Sequence, residues 1–223
     1  MTSKHTVLVT RKLPKAVEDR LKRDYDVHLN PDDIMYTTDD LIKLSGEAEA
    51  ILTCNTEHFT GDVVLRLPDS VKIVANYSVG VDHCDLESFR KRGIIVTNTP
   101  DVLSDATAEI AILLMLGAAR RASEGERMMR ERSWNKWSPE FMVGSAVTGK
   151  RLGIIGMGRV GQIVAKRALG FEMEIHYCNR SRLPEVNENG AIYHDSVESL
   201  LPVSDVLSLN CPATPETINL LTA

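Results

Sequence analysis

The sequence has few of the residues from which disulfide frameworks and metal centres are built. Its 4 cysteines, Cys54, Cys84, Cys178 and Cys211, are widely separated, and no pair has C-x-x-C spacing. We interpret them as ordinary thiols, because free cysteine packs as a small apolar side chain and scattered cysteines support neither disulfides nor a zinc site. The 6 histidines are scattered too, so the sequence predicts no metal centre.

Long apolar runs and a strong excess of one charge are missing as well. No apolar run reaches the roughly 18 residues that a membrane span requires, and the amino terminus lacks the apolar region and cleavage site of a signal peptide. With 26 basic and 31 acidic residues, the formal net charge of -5 gives no overall attraction to nucleic acid or to an anionic membrane. These absences predict a cytoplasmic protein whose partners are neither nucleic acids nor membranes.

Short β-branched runs alternate with stretches of helical periodicity, which is the pattern of parallel βαβ units. In the first part of the chain this pattern predicts strands at residues 6–10, 26–29, 50–53, 71–75 and 94–97. It predicts helices at residues 14–25, 39–44 and 62–67. We therefore expect residues 1–99 to form one small α/β domain.

A break at Asn98-Thr99-Pro100 separates this domain from the rest of the chain. A long helix that is apolar on most sides is expected at residues 104–121, and a charged helix at 120–132. We interpret the arginines of the charged helix as a solvated face, since the chain as a whole is acidic. The second α/β domain is predicted to span residues 100–223.

The stretch that follows these helices, residues 133–147, carries Trp134 and Trp137 without regular periodicity. Aromatic side chains of this size usually bury their surface against something, here a second subunit. We therefore expect this stretch, called the arm below, to contact a second subunit.

A glycine-rich turn is the strongest motif of the chain. Gly156, Gly158 and Gly161 form G-x-G-x-x-G after an apolar strand at residues 152–155 and before an amphipathic helix at 162–169. In this context the first glycine allows a tight turn, the second lets backbone approach a pyrophosphate, and the third lets helix and strand pack closely. The motif predicts a dinucleotide site.

The start of the helix after this turn would hold the phosphates. Its N–H groups, among them those of Arg159 and Val160, lie at the positive end of the helix dipole. The alternative is a glycine-rich turn without a ligand, but the order of strand, turn and helix favours the ligand.

The next strand, at residues 174–178, ends in Asn179-Arg180-Ser181-Arg182. An NAD site normally has an acidic residue here, which binds the ribose 2′-hydroxyl and would repel a 2′-phosphate. Asn179 does not repel phosphate, Arg180 and Arg182 pair well with it, and Ser181 adds a hydroxyl donor. The alternative is a solvated basic loop. The position favours a ligand, so we predict that NADP(H) is preferred over NAD(H).

A second backbone site is expected after the strand that ends near residue 77. Ser78, Val79 and Gly80 could expose successive N–H groups to an anion. The alternative is an ordinary turn that Gly80 makes possible. We interpret three neighbouring polar residues as turn and helix-capping residues rather than as an acid/base cluster: Asp82, His83 and Asp85.

Together these segments resemble the D-isomer-specific 2-hydroxyacid dehydrogenases, and within them the glyoxylate/hydroxypyruvate reductases. The resemblance covers nearly the whole chain and rests on residues 77–83, 98–101, 105–109, 150–161 and 208–217. It implies an α/β fold, in which a Rossmann doubly wound parallel sheet, incomplete here, forms the coenzyme domain and a flavodoxin-like α/β domain binds the substrate. It also implies a homodimer that pairs through a dimerisation helix and arm at residues 104–147.

The resemblance implies roles for several residues. Backbone amides near Val79 and Gly80 would grip the substrate carboxylate, and residues 98–101 would form the first hinge. Thr107 would approach the cofactor. The loop at 208–217, which includes Cys211 and Pro212, would run alongside the nicotinamide ribose and the adenine end of the cofactor.

The implied activity is NADPH-dependent reduction of glyoxylate, hydroxypyruvate or a similar 2-keto acid. The family's catalytic arginine, acidic residue and histidine lie after the region that matches Leu221, so we assign no catalytic residue. We expect the 223 residues to be part of a longer protein whose last strand here leaves an apolar edge.

Two alternatives remain because a fold does not establish a function. One is a non-catalytic dinucleotide sensor, as in the corepressors that share this fold. The other is a protein whose role is dimerisation.

Overall fold

The computed structural model describes residues 4–221, which form two compact units that meet in the chain between Val102 and Leu103. The sequence placed this boundary after residue 99. Each unit has a parallel sheet whose strands alternate with helices. The fold class expected from the sequence is confirmed.

The first unit is built on a five-stranded parallel sheet with the order β2-β1-β3-β4-β5. Its strands are β1 (Thr6–Val9), β2 (Asp26–His28), β3 (Ala50–Thr53), β4 (Ile73–Asn76) and β5 (Ile95–Thr97). This is the flavodoxin-like strand order, in which ligands bind at the carboxyl ends of the strands.

Four helices cover this sheet: α1 (Lys15–Asp24), α2 (Thr38–Leu44), α3 (Gly61–Arg66) and α4 (Leu86–Arg92). Thr37 and Asp40 form a capping box at the start of α2, and Asp85 caps α4 by accepting a hydrogen bond from Ser88 N at 3.1 Å. The core between helices and sheet contains fully buried Ile51, Phe59, Val64, Val74 and Phe89.

The second unit has a four-stranded parallel sheet with the order β8-β7-β6-β9. Its strands are β6 (Arg151–Ile155), β7 (Glu174–Cys178), β8 (Ile192–His194) and β9 (Val206–Leu209). Counted within this unit the order is 3-2-1-4, which matches the corresponding strands of a Rossmann sheet. The expected Rossmann topology is present.

The helices of the second unit are α5 (Ser104–Ala119), α6 (Ala122–Arg130), α7 (Arg159–Ala168), α8 (Glu185–Glu188) and α9 (Val197–Leu200). Helix α7 begins three residues earlier than the periodicity predicted, because the chain enters the helix directly from Gly158 and Gly161 lies inside its first turn. The core beside α7 contains buried Leu152, Ile154, Val164 and Tyr177.

The long helix and the arm leave much apolar surface uncovered within this chain. Ile110, Leu113 and Leu114 of α5 are exposed, and Trp137 is 72 % exposed. Trp134 stacks on Phe141 with ring centroids 6.1 Å apart. Burial of the tryptophans against a second subunit therefore stays a prediction. In the part of the chain that the structure describes, no helix combines the length and the apolar character that a membrane crossing needs.

Candidate functional site

The glycine-rich turn between β6 and α7 has the geometry that its sequence predicted. Gly156 has φ +89°, and a Cβ on it would lie 2.5 Å from Cys211 N. A Cβ on Gly161 would lie 2.5 Å from Gly156 O, so this glycine lets the helix meet the turn. Around Gly158, in contrast, a Cβ would meet no described protein atom within 4 Å. Protein atoms therefore lie close to the first and third glycines of the turn, whereas the space beside the middle glycine contains no described protein atom.

This opening faces the amino terminus of α7. The first hydrogen bond inside the helix runs from Gln162 N to Gly158 O at 2.9 Å. The N–H groups of the first helical turn, including those of Val160 and Gly161, have no partner inside the helix and point out of its end. Gly158, which precedes α7, has no side chain to cover them. This end of α7 can therefore receive an anion.

Asn179, at the end of β7, is hydrogen-bonded to the glycine turn. Its Oδ1 accepts from Met157 N at 2.7 Å, and the neighbouring carbonyl of Cys178 accepts from Gly156 N at 3.0 Å. The sequence singled out Asn179 only for its missing charge. In the structure its side chain also fixes the turn relative to β7.

The two arginines after Asn179 have different surroundings. Arg180 and Ser181 are exposed, and among residues 4–221 Arg180 makes no hydrogen bond or ion pair. Arg182 forms a two-point ion pair with Glu188, at 2.8 Å from Nε to Oε1 and 3.0 Å from Nη2 to Oε2. Arg180 is therefore available to a ligand, whereas Arg182 is engaged within the protein.

Glu188 was missed by the sequence analysis. Its carboxylate is buried, and it also accepts a 2.5 Å hydrogen bond from the hydroxyl of Tyr177. The hydrogen bonds from Arg182 and Tyr177 lower the pKa of Glu188 to about 2. The short helix α8, a single turn, places Glu188 beside Arg182. A helix of this length has too few residues to show a periodic pattern in the sequence, so the pairing could not be predicted.

The loop after β9 lies against the glycine turn, through the contact between Cys211 N and Gly156. Pro212 follows and is exposed. Thr107 and Asn210 line a groove of about 610 Å³ between α5 and β9. The residues expected to flank a cofactor in this unit thus include Cys211 beside the turn and Thr107 in the groove.

The expected substrate loop lies in the first unit, at the carboxyl end of β4. Its backbone is held by the segment after β5: Thr99 N and Thr99 Oγ1 donate to Ser78 O at 2.9 and 3.0 Å, and Asn98 Nδ2 donates to Val79 O at 2.7 Å. Ser78 Oγ donates to Gly80 O at 2.7 Å. The sequence did not predict that the expected hinge residues contact this loop.

The polar residues below the loop have structural partners. His83 Nε2 lies 2.8 Å from Asn76 Oδ1, and Asn76 Nδ2 donates to Thr97 O at 3.0 Å. Burial, followed by the charge of His58, lowers the pKa of His83. Asp85 caps α4, as the sequence suggested. These groups connect β4, β5 and the following turn, and we give them no acid/base role.

Histidines that are distant in sequence meet on the second sheet. His176 Nδ1 lies 2.9 Å from His194 Nε2, and His176 Nε2 lies 2.6 Å from Glu174 Oε1. Across the described ranges, no group of three or more His, Cys, Asp or Glu side chains is arranged to hold a metal ion.

Comparison with known proteins identifies relatives of the whole chain. A family model described as D-isomer specific 2-hydroxyacid dehydrogenase, NAD binding domain, matches residues 112–223. The chain is 45% identical to a glycerate dehydrogenase from Hyphomicrobium methylovorum, over 96% of this chain and 67% of that protein. It is 40% identical to a glyoxylate reductase from Pyrococcus horikoshii, over 98% of this chain and 66% of that protein.

Solved structures show the same similarity. A protein from Thermus thermophilus superposes with a TM-score of 0.88 at 41% identity, over 96% of this chain and 67% of that one. The chain therefore spans about two thirds of the length of the relatives that it matches.

Proposed function

The chain belongs to the D-isomer-specific 2-hydroxyacid dehydrogenases, oxidoreductases that act on CH–OH groups, and contains their NAD-binding domain; from this membership we propose that its protein reduces a small 2-keto acid to the D-2-hydroxy acid with NADPH. Glyoxylate and hydroxypyruvate are the substrates we favour. The observation that carries the cofactor choice is the end of β7, where Asn179 replaces the usual acidic residue and Arg180 is exposed beside it.

The residues of the second unit fit a dinucleotide. The opening at Gly158 and the first-turn amides of α7, those of Arg159, Val160 and Gly161, would hold the pyrophosphate. Thr107, Cys211 and Pro212 would flank the remainder of the cofactor. When bound, NADPH supplies the hydride, and the protein contributes position and charge.

The 2′-phosphate would be held by Arg180, Ser181 and the Nδ2 group of Asn179. Arg180 makes no hydrogen bond or ion pair within the described chain, and its charge contributes to lowering the pKa of Glu216. Its guanidinium group can therefore form charge-assisted hydrogen bonds with a ligand. Arg182 would act mainly by holding the connection after β7 through Glu188. Arg180 is therefore the principal determinant of NADP(H) preference in this proposal.

The substrate carboxylate would bind to the backbone of Ser78, Val79 and Gly80. A carboxylate has only acceptor atoms, so a row of N–H groups suits it without adding a charge to the site. We assign no proton donor within residues 1–223.

We also propose that the protein is a cytoplasmic homodimer. The exposed apolar side chains of α5 and the arm, including Leu113, Leu114 and Trp137, support pairing through residues 104–147. All four cysteines are free thiols, which is in keeping with a reducing compartment.

Asn179→Asp tests the cofactor assignment without removing a structural contact. An aspartate can still accept the hydrogen bond from Met157 N, but its negative charge repels a 2′-phosphate. Its carboxylate can also accept a hydrogen bond from a ribose 2′-hydroxyl. We expect the Kd of NADPH, measured by calorimetry, to rise at least about tenfold (about 1.4 kcal/mol). The Kd of NADH should stay the same or fall.

The melting temperature provides the control for this substitution and should remain close to that of the wild type. Equal changes in the Kd of NADPH and of NADH would contradict a 2′-phosphate site at Asn179. Binding of NADPH without reduction of any 2-keto acid would favour the dinucleotide sensor instead.

A further inference from the structure

The segment after β5 donates hydrogen bonds to two carbonyl groups of the substrate loop. The hydrogen bonds from Thr99 go to Ser78 O, and the hydrogen bond from Asn98 goes to Val79 O. Two successive carbonyl groups of the loop therefore point toward the same two residues after β5.

Peptide planarity then fixes where the N–H groups point. In a trans peptide the C=O and N–H of one unit are antiparallel. The Ser78 carbonyl shares its peptide with Val79 N–H, and the Val79 carbonyl shares its peptide with Gly80 N–H. Because both carbonyls face Asn98 and Thr99, the amides of Val79 and Gly80 face away from them.

These two amides are available to a ligand. Among residues 4–221 neither donates a hydrogen bond to a protein group. Gly80 is exposed and Val79 is half-buried, so an anion can reach them. Two adjacent amides directed to one side form the kind of backbone concavity that binds anions.

We propose that Asn98 and Thr99 are positioning residues that hold the Val79 and Gly80 amides as a donor pair for the carboxylate of a 2-keto acid. This inference rests on the proposed function, since it takes the 2-keto acid as the anion. Neither side chain needs to touch the substrate, because each acts through the carbonyl on the other side of a peptide.

Asn98 contributes more than Thr99 to the positioning of these two amides. The Val79–Gly80 peptide is flanked by a glycine, which rotates more freely than any other residue. The Asn98 amide is the group that holds this peptide at its carbonyl. Ser78 O, in contrast, keeps its bond from Thr99 N even when the Thr99 side chain is changed.

The test compares three variants of the full natural chain: Asn98→Ala, Thr99→Val and Thr97→Val. Thr97→Val is the matched control, because Thr97 is exposed and its side chain holds no part of the loop. With NADPH bound, we expect Asn98→Ala to raise the Kd of the 2-keto acid analogue oxamate and the KM of glyoxylate about tenfold. Thr99→Val should raise both by less, and Thr97→Val should raise them less than twofold.

Two further readouts separate positioning from general damage. The Kd of NADPH and the melting temperature should match the wild type in all three variants. In ¹⁵N spectra, oxamate should shift the Val79 and Gly80 amide signals of the wild type, and these signals should respond less in Asn98→Ala.

The possible failures are distinguishable. A wild type that binds oxamate through these amides, with Asn98→Ala binding it within twofold, contradicts the positioning role alone. A similar loss in Thr97→Val also contradicts it. A wild type that binds NADPH but neither binds oxamate nor reduces any 2-keto acid contradicts the proposed function, and the inference falls with it.

Discussion

At the scale of single residues, the surroundings of Arg180 and Arg182 decide what each can do. Both guanidinium groups suit a phosphate, but Arg182 already has two hydrogen bonds to Glu188. Freeing it would leave a buried carboxylate without its cation, which is costly. Arg180 has no such partner among the described residues and is the better ligand for a 2′-phosphate.

Alanine substitutions of the two arginines should therefore have different effects. Arg180→Ala removes a charged hydrogen-bond donor to phosphate, worth about 1.5–3 kcal/mol, so the Kd of NADPH should rise about 10–100-fold. The Kd of NADH should change less than about twofold. Arg182→Ala should have the smaller effect on NADPH binding and should lower the melting temperature. Calorimetry and thermal denaturation check both, and equal losses for NADPH and NADH would contradict the assignment.

At the scale of elements, two glycines of the turn between β6 and α7 lack a side chain for different reasons. Gly161 is required by packing, since a Cβ there would lie 2.5 Å from Gly156 O and 3.2 Å from the Ile154 side chain. Gly158 is not required by any neighbouring atom of the described protein. In the proposed function, its lack of a side chain lets a dinucleotide approach the backbone.

Alanine at these two glycines should affect different properties. Gly161→Ala should destabilise the fold by about 1–3 kcal/mol through overpacking, which thermal denaturation detects. Gly158→Ala should keep the melting temperature within a few degrees and weaken NADPH and NADH alike. Gly170→Ala, where a Cβ meets no atom within 4 Å, is the control and should change neither property. Unchanged dinucleotide affinity in Gly158→Ala would argue against a pyrophosphate at this turn.

The connection from β7 to α8 should make stability depend on pH. The pKa of Glu188 falls from 4.5 to about 2 on folding. A lowered carboxyl pKa stabilises the fold above about pH 4.5, and this contribution is lost as the pH falls toward 2. In urea unfolding, wild type should exceed Glu188→Gln in stability at pH 7, and the difference should shrink between pH 5 and 3.

Glu185→Gln is the matched control for this prediction. Glu185 lies on the same helical turn, is exposed and makes no hydrogen bond within the described chain. Its substitution should leave the stability close to that of the wild type at each pH. A difference between wild type and Glu188→Gln that is equal at pH 3 and pH 7 would contradict the ion-pair account.

Elements with a clear hydrophobic pattern could be predicted from the sequence. The bounds of β3 and β7 match the expected ranges, because both are short stretches with buried apolar residues that end at polar loops. The elements α8, β8 and α9 were not predicted, since each has only 3 or 4 residues, too few to show a periodic pattern. Short elements are fixed by tertiary contacts such as that between Arg182 and Glu188, which local patterns do not encode.

At the scale of the whole molecule, the glycine turn and the proposed substrate loop could be predicted from the sequence because each follows a strand of a parallel sheet. Ligands bind at the carboxyl ends of such strands, and both segments lie at these ends. The partners of these residues could not be found in the same way. The bonds from Asn98 and Thr99 to the substrate loop join positions about 20 residues apart, through side-chain and backbone geometry that only the folded structure specifies.

The central claim concerns the whole protein and is tested most directly by initial rates of cofactor oxidation. The full natural chain is assayed with glyoxylate and with hydroxypyruvate, using NADPH or NADH at matched concentrations. We predict oxidation that requires the keto acid, with kcat/KM for NADPH at least about tenfold above that for NADH, a difference of about 1.4 kcal/mol. Oxidation that favours NADH, or NADPH binding without keto-acid-dependent oxidation, would contradict the claim.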